Sequence, residues 1–87
     1  MRGVTGRYKR YVEVVCETLP DGTEVPRRVV WDDAHAFEID EVLDVRWASS
    51  RKVSGSGRRY TVRVRGEATY LFREGDHWFC EAKELVL

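Results

Sequence analysis

Cys16, His35, His77 and Cys80 are the only cysteines and histidines in the chain, and so the first residues to test for chemistry. The run His77-Trp78-Phe79-Cys80 invites a zinc reading, but zinc needs four ligands converging on one point. On a strand, residues three apart point to opposite faces, so His77 and Cys80 do not converge. A Cys–His nucleophile needs an exposed thiol beside an imidazole. Both cysteines instead sit among apolar residues, at positions expected to face inward. The carboxylate pairs Asp32-Asp33 and Asp40-Glu41 have the right types for general acid–base work. Adjacent acids around a turn nevertheless read first as a solvated loop. Gly55-Ser56-Gly57 lacks the downstream Lys-Ser/Thr and the helix of a phosphate cradle. These residues point away from an enzyme: they imply no catalytic group, no metal, no other cofactor and no small-molecule substrate.

Charge offers more. Fifteen Lys+Arg balance fifteen Asp+Glu, for a formal net charge of zero, which excludes the simplest polybasic binder of nucleic acid or membrane. The balance is a sum of blocks, however. Residues 32–44 carry −6, residues 46–65 carry +7 with no acid among them, and only Val45 separates the two. Arg51, Lys52, Arg58, Arg59, Arg63 and Arg65 form a candidate electropositive face and loop for tracking the phosphates of DNA or RNA. Trp47 and Tyr60 are the aromatics placed to stack a base or meet a partner, whereas Trp31 and Trp78 read as core. The competing reading has the acidic block lying beside the basic strand and neutralising it, as cross-strand charge pairs do.

The elements that must position these residues are strands. In Arg58 to Arg65, Tyr60, Val62 and Val64 alternate with Arg59, Thr61, Arg63 and Arg65, the period of a half-buried strand. Gly66 and Gly75 mark tight turns, and Ala68–Arg73 and His77–Ala82 return as strands, so 58–83 reads as a three-stranded meander. Glu84 to Leu87 either extends the last strand or forms one helical turn. In the first half, Tyr11–Glu17 places Val12, Val14 and Cys16 inward. Pro20-Asp21-Gly22 is a turn with proline, Asx and left-handed glycine chemistry. Glu24–Trp31 follows as a strand in which Pro26 demands a sheet edge or a bulge. Residues 34–47 fit a long bent strand bulged near Glu41, with a short helix at 40–44 as the alternative.

Eighty-seven residues with 43% hydrophobic and 11% aromatic content specify one packed domain over 1–87. Residues 1–8 are a candidate disordered tail and 48–57 a flexible loop. No stretch is apolar enough for a membrane span or an export signal, and two cysteines are too few for a disulfide framework. The expected compartment is therefore the cytoplasm, with two thiols whose mutual distance stays open. Large aromatics occupy both strand parities. A small antiparallel barrel or strongly curled meander of five to six strands, similar to Src-homology-type or oligonucleotide-binding barrels, would cover both faces. Covering of one face by a protein partner or a second copy would do the same.

The order Trp31, Phe37-x-Ile39, Val42-Leu43-Asp44-x-Arg46, then Arg59-Tyr60, Tyr70-Leu71-Phe72-Arg73-Glu74 and Trp78-Phe79, resembles a group of short bacterial all-β domains of unknown function. These occur in actinobacteria and Firmicutes, sometimes in association with Y-family polymerase-related proteins. The resemblance spans about residues 26–83 and rests on core positions. Asp32-Asp33 stands where that group has a turn glycine. The resemblance implies a β fold and a DNA-repair setting, and assigns no catalytic residue. The expectation is a non-catalytic binding module, nucleic-acid-associated through the basic face, with a protein-interaction or homodimerisation module as the alternative.

Overall fold

Alternation and left-handed glycines set the strand boundaries. The computed structural model of the chain describes residues 3–50 and 56–86, with side chains described from 8 to 50 and from 57 to 82. Seven strands run in chain order: β1 (Gly3–Thr18), β2 (Glu24–Asp32), β3 (His35–Glu38), β4 (Glu41–Ser49), β5 (Ser56–Val64), β6 (Glu67–Glu74) and β7 (His77–Val86). Gly22, Gly66 and Gly75 all take positive φ in the turns, where a Cβ would be strained. Each pairing is antiparallel, and the sheet order is β3-β2-β1-β7-β6-β5-β4.

Two meanders, β1–β3 and β4–β7, are therefore joined twice. The β1 and β7 strands pair side by side, Gly3 opposite Val86 and Val12 opposite Trp78. At the other end, only Ile39 and Asp40 connect β3 to β4, although these strands occupy opposite edges of the sheet. Three residue steps span at most about 11 Å, so the sheet must curl until its two edges approach. The linker fixes that approach. Ile39 N–H donates to the Arg27 carbonyl of β2, and Asp40 N–H donates to the Arg63 carbonyl of β5, both at 2.8 Å. The result is an all-β, strongly curled half-barrel.

Ile39 is itself part of the core on the concave side, with Tyr60, Val62, Leu71 and Trp78. Val12, Val14, Cys16, Val29 and Val42 pack around them. Tyr60 and Trp78 rings lie 5.0 Å apart. The convex side has its own buried pair: Phe72 and Phe79 stack at 4.9 Å with planes 5° apart, and both are almost fully buried. Lys9 Nζ sits 4.7 Å over the Phe79 ring, and the Tyr11 and Tyr70 rings meet the pair edge-on. Ser50, at the end of β4, donates to Glu81 of β7. That bond reaches across two intervening strands and brings Ser50 over the convex face.

Several expectations are corrected by this arrangement. The segment 34–47 is two strands, so the sheet has seven strands where five or six were expected, and residues 40–44 form no helix. The predicted bulge is present, between Val42 and Asp44. Proline at 26 is accommodated by a bulge in β2, where Arg27 is left unpaired between Arg28 opposite Val15 and Pro26 opposite Cys16. From Gly3 onward the expected N-terminal tail is strand, and the C-terminal end continues as strand to Val86. In the expected loop, Ala48 and Ser49 pair with Gly57 and Ser56, and residues 51–55 lie outside the described residues.

Candidate interaction edge

The arginines of β5 divide between the two faces. Register places Trp47, Arg58, Arg73, Trp78 and Val12 in one lateral row on the concave side. Arg46, Arg59, Phe72, Phe79 and Tyr11 form the matching convex row. Arg59 Cζ lies 4.4 Å over the Tyr70 ring, and its Nε is buried without a hydrogen-bond partner among the described residues. Arg63 is ion-paired with Glu41, its cross-strand neighbour in β4. Arg65 sits in the β5–β6 turn at φ 54°, with Cζ 5.4 Å from the Phe37 ring centre. Arg58 is exposed and makes no ion pair among the described residues. Arg51 and Lys52 lie outside the described residues.

Charge cancellation follows from the β4–β5 register. The acidic block pairs inside β4 and across to β5: Asp44 with Arg46 at 2.7 Å, and Glu41 with Arg63. The Arg46 guanidinium beside Asp44 holds that carboxyl below the usual range, and Asp44 in turn raises Arg46. Elsewhere Arg28 pairs with Glu38, Arg27 with Glu17, and Arg73 with Glu24 at 2.8 Å. Of the expected electropositive face, only Arg63 is neutralised by a neighbouring strand among the described residues.

The two candidate aromatics separate completely. Tyr60 is 4% exposed and belongs to the core, so it is not available to stack a base. Trp47 is 76% exposed. It stands on β4, an edge strand that pairs only with β5, together with exposed Leu43 and Val45. This apolar edge follows from alternation: Val45 and Trp47 share the concave side, but at the rim they have no sheet neighbour to cover them. Leu43 is the bulged residue, unpaired between Val42 and Asp44. The apolar character of 42–47 was visible in the sequence. Its position at an edge was not, because that depends on which strands pair.

The cysteines, histidines and turn carboxylates lie apart from this edge. Cys16 and Cys80 are free and partly buried; burial pushes the Cys80 thiol up to about 11, against a smaller opposing pull from Arg10. Asp32 Oδ1 accepts the Ala34 N–H and faces His35 Nδ1, each at 2.8 Å, which staples the β2–β3 turn. The His77 ring meets Tyr11 edge-on at 5.8 Å. No cluster of three or more His, Cys, Asp or Glu is placed to hold a metal among the described residues. The mouth of the half-barrel is an apolar cleft of about 680 Å³ whose walls include Trp31, Phe37, Leu71 and Cys80. Searches of protein-family models, curated proteins and solved structures find no match to this chain.

Proposed function

We propose that this domain is a protein-interaction module that binds through the β4 edge. One observation carries the reading: Leu43, Val45 and Trp47 are exposed, at 40%, 45% and 76%, on a strand whose outer backbone groups have no sheet partner. Edge strands are commonly guarded by charge. Here the edge charges Asp44 and Arg46 neutralise each other within the strand. An incoming strand gains main-chain hydrogen bonds from the edge and apolar contact from alternate side chains. Trp47 supplies the large aromatic that anchors such contacts.

Panning a library of extended peptides against dilute immobilised protein tests this reading. Peptides with alternating apolar residues are expected to be enriched on the wild type and lost on Val45→Lys and Trp47→Ala. Absence of enrichment, or enrichment indifferent to both variants, removes the reading.

A second reading rests on Trp47 and Arg58 standing opposite each other on one face. That pair supplies a stacking platform and an exposed cation for single-stranded nucleic acid. The resemblance to domains found near Y-family polymerase-related proteins supports the same direction. It requires quenching of Trp47 fluorescence by a single-stranded oligonucleotide, weakened by salt and by Arg58→Glu. Unchanged fluorescence at low salt excludes it.

A further inference from the structure

We propose that the occupant of the β4 edge is a second copy of the chain, paired β4 to β4 in antiparallel register about a two-fold axis at Val45. This rests on the edge-binding reading above and adds the partner and the register.

The charge order of β4 carries the argument. Around Val45 the strand reads Leu43-Asp44-Val45-Arg46-Trp47. In a symmetric antiparallel pair centred on Val45, each Asp44 opposes the Arg46 of the other copy, and each Leu43 opposes Trp47. The two Val45 side chains meet at the axis. Opposite charges directly across a strand pair stabilise it, and like charges destabilise it.

The two neighbouring registers of the same parity rule fail on the same grounds. A two-fold axis perpendicular to the sheet keeps each face on its own side, so only shifts that place one residue opposite its own copy continue the sheet. Centring on Asp44 sets two aspartates against each other, and centring on Arg46 does the same with two arginines. Val45 is the one centre in 44–46 at which Asp44 and Arg46 each meet an opposite charge. The intrastrand Asp44–Arg46 ion pair then becomes one half of a four-charge cluster of alternating sign. The union makes a continuous fourteen-stranded sheet and leaves neither copy with an open β4 edge.

Sedimentation equilibrium combined with a cysteine scan of 43–47 tests the proposal. The wild type is expected to reach twice the chain mass at submillimolar concentration. Asp44→Arg should stay at the monomer mass, because four arginine side chains then converge. Asp44→Arg combined with Arg46→Asp should restore the dimer, since the swapped order has the same complementarity. Under oxidation, Val45→Cys should give the strongest self-crosslink, as residues directly opposed in antiparallel strands lie within disulfide reach. Single cysteines at 44 or 46 should crosslink only when the two variants are mixed. A monomeric wild type, a swap that fails to restore the dimer, or a crosslinking maximum away from 45 each overturns the proposal. A monomeric wild type that still selects strand peptides overturns the dimer and leaves the edge-binding reading standing; a monomer that selects none removes both.

Discussion

At the residue scale, backbone and burial set the energetics more than the charges do. Among the described residues Arg65 is the one non-glycine with positive φ, at 54°, beside Gly66 at 81°. Two left-handed residues in a two-residue hairpin favour Asn-Gly over Arg-Gly. Arg65→Asn is therefore expected to stabilise the fold by about 0.5–1 kcal/mol, the scale of relieving one strained residue, read as a higher urea midpoint at unchanged slope. Cys80 gives a pH dependence of definite sign. Its folded pKa, about 11, lies above the ordinary 9.0 because burial disfavours the thiolate. The stability it contributes is complete below about pH 9 and is lost as pH rises through about 11. Cys80 is only partly buried, so solvent screening limits the effect to on the order of 1 kcal/mol. Cys80→Ala should flatten the stability profile between those pH values, and alkylation of Cys80 in the folded protein should be slow at pH 8.

At the element scale, the same chain shows what local pattern can specify. The β5–β6–β7 meander is legible because its strands alternate cleanly and its turns carry glycine. The split of 34–47 is not legible: Phe37 and Ile39 keep strand parity while the chain leaves one edge of the sheet for the other. Nothing in the local alternation registers that jump, which depends on pairing between distant strands. The burial of Tyr60 is hidden for a related reason. Alternation shows that it shares a face with Val62 and Val64, but the depth of that face is set by Trp78 and Leu71 across the sheet. The convex aromatic pair is equally hidden, since its cover comes from Lys9 and Tyr11 of β1 and from Tyr70. Gly57 lies close against the β6 backbone. A Cβ there would collide with the Arg73 carbonyl and crowd Glu74 Cα, both backbone atoms that cannot step aside. Gly57→Ala is expected to cost about 1–3 kcal/mol, as overpacking does. Gly22, where a Cβ meets open space and only its φ of +90° opposes substitution, should lose less on change to alanine. Parallel urea titrations of the two variants compare the two effects directly.

At the scale of the whole molecule, the half-barrel is held by two closures of unequal length. The β1–β7 ladder is long, running from Gly3 opposite Val86 to Val12 opposite Trp78. The other closure is the two-residue linker Ile39-Asp40, which brings opposite sheet edges together and places Ile39, 7% exposed, in the core. Because the linker is nearly as short as geometry allows, the curl depends on its length and on its side chain. Ile39→Ala should cost about 2–5 kcal/mol, the range for a buried aliphatic truncation, although the residue belongs to no strand. Inserting two glycines after Asp40 separates length from packing. It keeps every core side chain but lets the β3 and β4 edges drift apart. The expected outcome is a larger radius of gyration in small-angle scattering than that of the wild type, whose Cα value is 13.5 Å, together with faster exchange of the Ile39 and Asp40 amides. An insertion that leaves both unchanged would show that the strand pairings alone impose the curl.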